Sequence, residues 1–151
     1  MKTGTACNRA VAYIDGDESA LEAAKLMRQH HVGDLVITRE DRGRHLPVGV
    51  VTDRDLVLEV LAQGIDPDSV TVGDLFTSPT LITATIDDEL EDTLRSMRSN
   101  GVRRVPVVED DGALVGIITM DDMLGVMAGQ LLDITRLIAR QPDIETERRQ
   151  A

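Results

Sequence analysis

One sequence pattern occurs twice in this chain of 151 residues. The stretch "VGVVTDRDL" at residues 48–56 recurs as "VGIITMDDML" at residues 115–124, each with a glycine, apolar residues, a threonine and an aspartate three positions after that threonine. The preceding residues also correspond, for example Met27 to Met97, at an offset of 70 that falls to 67 at the pattern itself. Solenoids need roughly three or more repeats, so two copies predict two similar halves packed together.

Each copy has the same predicted order of elements. A short apolar stretch (residues 11–14 and 81–84) precedes a segment with apolar residues at helical spacing, and two runs rich in Val and Ile follow. We expect the polar stretch "REDRGRHLP" between the first copy's runs to be a loop. A parallel crossing through a helix implies a helix-covered sheet. The predicted fold class is therefore α/β (α+β), with two β-α-β-β-α repeats packed as one pseudo-two-fold module.

Glycines predict where the helices end. We expect Gly64 to end the helix after "GVVT" and Gly101 to end the earlier helix of the second copy, because glycine adopts the left-handed conformation at low cost. His31 takes the place of Gly101 in the first copy, so that helix is expected to end less cleanly. The side chains expected to form the buried stripe after "GVVT" are Leu56, Val57, Val60 and Leu61.

The pattern also sets the expected boundaries. The first repeat is predicted over residues 8–64 and the second over residues 80–128. Residues 65–79 form a linker rich in turn residues, with a short helix at "VGDLF". Residues 129–151 extend the last helix and end in a tail, "ETERRQ", that is expected to fray.

Composition excludes several functions. The formal charge of −11 disfavours nucleic acid or an anionic membrane as a partner, because either needs a basic surface. Cys7 is the only cysteine, which rules out an intrachain disulfide and a cysteine-rich zinc site. No apolar run approaches ~18 residues, so a cytoplasmic protein is expected. With no Trp and one Phe, a planar ligand is expected to lie among aliphatic side chains.

The Thr-x-x-Asp element of the pattern has two interpretations. A threonine followed three residues later by an acid is the signature of a capping box, which starts a helix without any ligand. The same residues at the junction of a strand and a helix also suit a nucleotide, since a threonine hydroxyl reaches phosphate and an aspartate accepts from ribose hydroxyls. Arg54 adds a planar cation beside the first pattern. The two interpretations are compatible.

The segments "GVVTDRDL", "GIITMDDML" and "GVRRVPVV", with helices ending in Met-Arg, resemble a tandem pair of CBS domains, the regulatory module named from cystathionine β-synthase. The resemblance covers about residues 8–128, and "CNRAV" with "TDRDLVLEVLAQGIDPDS" is similar to stand-alone bacterial pairs. It implies a non-catalytic module that binds an adenosine compound in clefts between the repeats. AMP, ADP or ATP is expected, with S-adenosylmethionine or NAD as further possibilities and no obligatory cofactor.

The family's roles carry over to individual positions of this chain. The resemblance implies that Asp55 and Asp122 accept from the ribose and that Thr52 and Thr119 lie near the phosphates or ribose. The base would pack against apolar residues of the first strands, such as Val11 and Ile82. No metal ligand is implied.

Basic residues before "PVV" contact phosphates in energy-sensing relatives, which implies this role for Arg103 and Arg104. The first copy departs here, because Gly33 and Asp34 replace them and an acid repels phosphate. The two sites are therefore expected to be unequal. We expect ligand-dependent stabilisation to be lost in an Asp122→Ala variant.

The last helix, expected over about residues 121–140, carries an apolar stripe with spacings of three and four: Leu124, Met127, Leu131, Ile134 and Ile138. The stripe either packs back on the module or forms the seam of a homodimer, which the resemblance favours. Either a partner protein acting in trans or the oligomer itself is expected to respond to the ligand. Two other functions stay open: a scaffold whose patterns only cap helices, and a divalent-cation sensor.

Overall fold

The computed structural model describes the backbone of residues 1–150 and the side chains of residues 1–149. It contains two three-stranded sheets, one for each copy of the repeat. The first sheet consists of β1 (Tyr13–Asp15), β2 (Asp34–Asp41) and β3 (Arg44–Thr52). The second consists of β4 (Ala84–Thr85), β5 (Arg104–Val108) and β6 (Leu114–Thr119). In both sheets the first strand is parallel and the third antiparallel to the middle strand, which confirms the predicted fold class.

The described chain also contains six α-helices. They are α1 (Thr3–Ala6), α2 (Ala20–His30), α3 (Asp53–Asp55), α4 (Val72–Phe76), α5 (Leu90–Asn100) and α6 (Met120–Gln150). α4 is the short helix predicted in the linker, at "VGDLF". α2 and α5 each bury one stripe against their own sheet, consisting of Ala20, Ala23 and Met27 in α2 and of Leu90, Thr93 and Met97 in α5. The helical spacing also predicts Ala24 and Leu94 in these stripes, but both are exposed.

The strand boundaries differ from the prediction in two ways. β1 and β4 begin two and three residues later than expected, so Val11 and Ile82 precede the strands rather than belonging to them. The polar stretch of the first hairpin is not a loop: β2 and β3 continue through it and leave only Arg42 and Gly43 as the turn. Both turn residues have positive φ, 53° and 78°, the geometry that joins antiparallel strands most tightly.

The C-termini of α2 and α5 are alike. Gly101 caps α5 in the left-handed conformation with φ 65°, as predicted. His31 caps α2 in the same conformation with φ 55°, so the expectation of a less regular end was wrong. The cap is retained because backbone N–H groups still reach the last carbonyls, for example Val32 N to Met27 O at 3.1 Å.

The helix after "GVVT" is wider than predicted. α3 passes into a π-helical segment, Leu56–Leu61, whose N–H groups bond to the fifth preceding carbonyl, as Ala62 N does to Val57 O at 2.9 Å. Leu56 and Val60 are buried, but Val57 and Leu61 are 51% and 64% exposed. The predicted four-residue stripe is therefore wrong for half of its members, because the wider turn directs them to solvent. Gly64 follows this segment with φ 66°, as expected.

The short helices α1 and α4 each pack on a repeat other than the one that they precede in sequence. α1 precedes the first repeat but packs on the second, where Thr3 N donates to Asp88 O at 2.8 Å and Ala6 and Cys7 join the core. α4 precedes the second repeat but packs on the first, where Val72 N donates to Glu18 O at 2.9 Å. Each repeat therefore completes its core with a segment that lies outside it in sequence.

This exchange explains the glycine of the repeated pattern. Asn8 N donates to Ile117 O at 2.8 Å, so the chain after α1 crosses β6 beside Gly116. A Cβ at Gly116 would lie 2.7 Å from the carbonyl oxygen of Asn8. At Gly49 in β3, the carbonyl of Phe76 occupies the equivalent space. The glycine is required because another backbone passes at contact distance.

α6 is longer than predicted and does not fold back. It runs for 31 residues and includes the tail expected to fray. The predicted apolar stripe lies at the surface, with Leu124, Met127, Leu131, Ile134 and Ile138 all more than half exposed. The interpretation that this stripe packs on the module is therefore wrong within the described chain. None of the described helices is both long enough and apolar enough to cross a membrane.

Candidate functional site

Each Thr-x-x-Asp element forms a reciprocal cap where a strand passes into a helix. The N–H of Thr52 donates to Asp55 Oδ2 at 2.9 Å, and the N–H of Asp55 donates to Thr52 Oγ1 at 3.1 Å. Thr119 and Asp122 make the equivalent bonds at 2.8 and 3.2 Å. These bonds satisfy N–H groups that the start of a helix leaves without partners. The capping interpretation is confirmed.

Capping leaves part of each carboxylate free. The bonds from Thr52 and Thr119, including one from the Thr119 hydroxyl at 2.6 Å, all go to the Oδ2 atoms of Asp55 and Asp122. Within residues 1–149, neither Oδ1 atom accepts a hydrogen bond from the protein. A carboxylate oxygen accepts more than one hydrogen bond, and both side chains are only half-buried. The same aspartate can therefore cap the helix and accept from a ligand hydroxyl.

Two clefts between the repeats collect the predicted site residues. We name the larger one, with a volume of about 720 Å³, cleft 1. The predicted residues that line cleft 1 are Thr52, Arg54 and Asp55 from the first repeat and Ile82, Arg103 and Arg104 from the second. Cleft 1 thus joins the Thr-x-x-Asp element of one repeat to the basic residues of the other.

Cleft 2 is the pseudo-symmetric counterpart and has a volume of about 250 Å³. The predicted residues that line it are Thr119 and Asp122 from the second repeat and Val11, which precedes β1. Gly33 and Asp34 lie where cleft 1 has Arg103 and Arg104. The structure therefore groups Arg103 and Arg104 with Asp55 and not with Asp122, the residue on which the sequence-based expectation of ligand binding rested.

The two clefts differ in charge as well as in size. Three arginines and one aspartate line cleft 1, whereas Asp34 and Asp122 line cleft 2 and no Lys or Arg does. An anionic group is attracted to cleft 1 and repelled from cleft 2. Arg54 and Arg103 are exposed and form no ion pair within residues 1–149, so both are available to a ligand.

An ion pair joins the two clefts. Arg104, which lines cleft 1, donates through Nη1 to Oδ2 of Asp34, which lines cleft 2. The two residues begin the equivalent strands β5 and β2, and their side chains remain 31% and 25% exposed. The sequence indicated that Asp34 would repel a phosphate, but it gave no sign that Arg104 would be its partner.

Several lining residues of cleft 1 were not predicted. Phe76, the only phenylalanine, lies in its wall together with Ser78 of the linker and Thr80 at the start of the second repeat. The expectation of a purely aliphatic wall is therefore wrong for this cleft. The one available signal was proximity in sequence, since "FTSPT" comes directly before the residues that lead to Ile82.

A third cavity, of about 590 Å³, lies beside α4 and is lined by four carboxylates: Asp15, Asp17, Glu40 and Asp74. In the part of the chain that the structure describes, no three His, Cys, Asp or Glu side chains come together as a group that could hold a metal ion. The acidic surface at this cavity is therefore diffuse.

Comparison with protein families and curated relatives is consistent with this geometry. The CBS domain family matches residues 4–62 and 72–129. An uncharacterized protein of Methanopyrus kandleri is 39% identical over 126 residues, which cover 83% of this chain and 62% of that protein. Hypoxic response protein 1 of Mycobacterium tuberculosis is 35% identical over 116 residues, which cover 77% of this chain and 78% of that protein.

Solved structures show the same fold. Hypoxic response protein 1, solved with two coordinated zinc ions, has a TM-score of 0.70 at 33% identity. The alignment covers 82% of this chain and 97% of that structure's chain. A CBS domain protein from Pyrobaculum aerophilum complexed with AMP has a TM-score of 0.71 at 29% identity, with 81% and 89% covered. A CBS domain pair in complex with 5′-methylthioadenosine and S-adenosyl-L-methionine has a TM-score of 0.72 at 26% identity, with 86% and 98% covered.

The repeated pattern, the paired sheets, the clefts between the repeats and these matches agree with one another. The chain is a tandem pair within the CBS domain family.

Proposed function

We propose that this protein is a non-catalytic regulatory module that binds an adenine nucleotide, AMP, ADP or ATP, in cleft 1. The observation that carries the proposal is the assembly of Asp55, Arg54 and Arg103 around one cavity of about 720 Å³. This set offers an acceptor for hydroxyls and cations for phosphate. The module then acts as an energy or metabolite sensor in the cytoplasm.

Each part of the nucleotide has a matching part of the cleft. The free Oδ1 of Asp55 suits a ribose hydroxyl, which is a hydrogen-bond donor. The guanidinium groups of Arg54 and Arg103 suit phosphate oxygens, which they bind in planar, bidentate fashion. Ile82 and Phe76 supply apolar wall for a planar base.

The relatives support an adenosine ligand. One neighbour was solved with AMP, and another with 5′-methylthioadenosine and S-adenosyl-L-methionine. These ligands share adenosine and differ in charge at the 5′ end. The arginines of cleft 1 favour the phosphorylated compounds for this chain.

We also propose that the protein is a homodimer joined through α6. The exposed stripe Leu124, Met127, Leu131, Ile134 and Ile138 alternates spacings of three and four residues. That alternation places one apolar seam along a helix and is the pattern of a two-stranded coiled coil. An effector protein then responds to the nucleotide in trans.

Two other functions compete with this proposal. Both caps are complete without a ligand, which favours a scaffold whose Thr-x-x-Asp elements serve only the helices. A divalent-cation sensor would have to use the acidic cavity beside α4, whose carboxylates do not come together as a metal-binding group within the described residues. A scaffold gains no stability from nucleotides, and a cation sensor gains it from Mg²⁺ or Ca²⁺ alone.

Thermal unfolding of the full chain tests these alternatives. AMP, ADP, ATP, NAD, S-adenosylmethionine, Mg²⁺ and Ca²⁺ are each added to wild type, Asp55→Ala and Asp122→Ala. A ligand at 100 times its Kd adds about 2.7 kcal/mol, a shift of several degrees. Both variants lose one helix cap, which makes them matched controls for each other. We expect stabilisation by an adenine nucleotide in wild type and Asp122→Ala, and its loss in Asp55→Ala.

Other results would contradict the proposal in different ways. If no nucleotide raises the melting temperature at millimolar concentration, a scaffold function is enough to explain both Thr-x-x-Asp elements. A shift with Mg²⁺ or Ca²⁺ alone, equal in all three proteins, would instead indicate the cation sensor.

A further inference from the structure

The ion pair between Arg104 and Asp34 lies at the boundary between the two clefts. Each residue lines a different cleft, and the two occupy equivalent first positions of β5 and β2. Equivalent positions of a repeat commonly serve equivalent roles, yet these two carry opposite charges. Their contact therefore couples the charge of one cleft to that of the other.

The arginines of cleft 1 are not equally available. Arg54 and Arg103 form no ion pair within residues 1–149, but Arg104 is engaged with Asp34. A phosphate that recruits Arg104 has to displace the carboxylate of Asp34. Because both side chains are about one-quarter to one-third exposed, water and salt weaken the pair and make the displacement possible.

We propose that Asp34 determines the ligand charge that each cleft accepts, acting through Arg104. This inference rests on the proposed function of cleft 1. In the unliganded protein Asp34 holds Arg104, so part of the affinity for phosphate is spent on breaking the ion pair. In cleft 2, Asp34 and Asp122 select an uncharged or cationic adenosine derivative, because a phosphate there would meet two carboxylates and no basic side chain.

The two clefts consequently affect each other. When an anion in cleft 1 takes Arg104, the carboxylate of Asp34 loses its counter-charge and faces cleft 2 as an unpaired negative charge. Cleft 2 then repels a second anion more strongly. The coupling is reciprocal by thermodynamic linkage, so a cation beside Asp34 frees Arg104 and tightens phosphate binding in cleft 1.

Calorimetric titration with AMP and with adenosine separates the phosphate from the rest of the ligand. For Asp34→Asn we expect AMP to bind more tightly by about two- to fivefold, the range that one partly exposed ion pair accounts for. The affinity for adenosine should change by less than twofold. The gain for AMP should vanish when Arg104→Gln is added. Asp110→Asn removes the same charge from an exposed turn without an ion pair and serves as the control.

Exchanging the two residues provides a second test. The double variant Asp34→Arg with Arg104→Asp keeps an ion pair at the same place but reverses the charge facing each cleft. We expect AMP binding by this protein to depend less on Asp55 and more on Asp122 than in wild type. An ion pair that only joins the repeats would leave that dependence unchanged.

The outcomes separate this inference from the proposed function. Wild-type protein that binds none of AMP, ADP and ATP would overturn both. If wild type binds AMP but Asp34→Asn leaves the ratio of the AMP affinity to the adenosine affinity unchanged or lower, only the proposed role of Asp34 is overturned. Asp34 would then either have no effect on binding or position Arg104 for phosphate.

Discussion

The hydroxyl oxygens of Thr3 and Thr93 lie 2.8 Å apart in a buried hydrogen bond between residues separated by 90 positions. Thr3 belongs to α1, at the start of the chain, and Thr93 belongs to α5 of the second repeat. Together with the bond from Thr3 N to Asp88 O, this contact makes the N-terminal segment a structural part of the second repeat.

Removing one hydroxyl of this pair should destabilise the protein. In Thr93→Val the buried hydroxyl of Thr3 keeps no partner, and we expect a loss of about 1–3 kcal/mol in the free energy of unfolding. The double variant with Thr3→Val removes both polar groups and should recover much of that loss. Urea denaturation measures both, with Thr135→Val on the exposed surface of α6 as the control. A single variant no less stable than the double one would show that the bond is unimportant.

The glycine of the repeated pattern should not tolerate a methyl group. In Gly116→Ala the new Cβ would lie 2.7 Å from the carbonyl oxygen of Asn8, so we expect a destabilisation of about 1–3 kcal/mol. Gly125 in α6 has open space around a new Cβ, and Gly125→Ala should stabilise by about 0.5–1 kcal/mol. Thermal unfolding of the two variants compares the same chemical change with opposite expected signs. Equal effects would exclude the close approach as the reason for the glycine.

The proposed dimer predicts that two adjacent positions of α6 respond differently to charge. Ile138→Glu places a carboxylate in the apolar seam and should lower the dimer fraction measured by sedimentation at micromolar concentration. Ala139→Glu places the same carboxylate one residue along, away from the seam, and should leave the dimer intact. Because both residues are exposed in the single chain, neither change should unfold it. Equal effects would argue against a helical seam.

The thiol of Cys7 should react slowly with alkylating agents. Partial burial raises its pKa above the usual range, although nearby Arg9 opposes the shift. The reactive thiolate is therefore scarcer at pH 8 than in the unfolded chain, and the pH profile of the iodoacetamide reaction should be displaced upward. The raised pKa also means that this group's contribution to stability is present below the unfolded pKa and declines as pH rises through the folded one. Coincident profiles for the folded and urea-unfolded protein would contradict this.

Much of the fold was predictable because the sequence repeats itself. Two copies of one pattern specify the same local elements twice, and the Thr-x-x-Asp spacing correctly located both helix caps. Local patterns could not show that α1 and α4 exchange repeats, since that depends on which sheet each short helix meets in space. The same limit applies to the ion pair between Asp34 and Arg104, whose members are 70 positions apart.

The remaining differences arise where packing overrides local preference. Residues 56–61 have the spacing of an ordinary amphipathic helix, and the π-helical turn that exposes Val57 and Leu61 leaves no mark in that spacing. Many residues that line the clefts were named individually from the sequence, but their grouping into two clefts was not predictable. A repeat alone does not say whether Arg103 lies in a cleft with the aspartate of its own copy or with that of the other, and the structure places it in the same cleft as Asp55.

Because α6 is long, a small rotation at its N-terminal end moves its C-terminal end by a larger distance. α6 runs for 31 residues, with Pro142 in its last third, and extends about 46 Å at the standard rise of 1.5 Å per residue. Its first turn carries Asp122, which lines cleft 2, so α6 begins beside the clefts between the repeats while its far end is exposed and stands clear of the module. By simple geometry, a tilt of roughly 5° at the cap displaces the tip of such a rod by about 4 Å. A rearrangement too small to alter either sheet would thus be magnified into a distance that another macromolecule can detect.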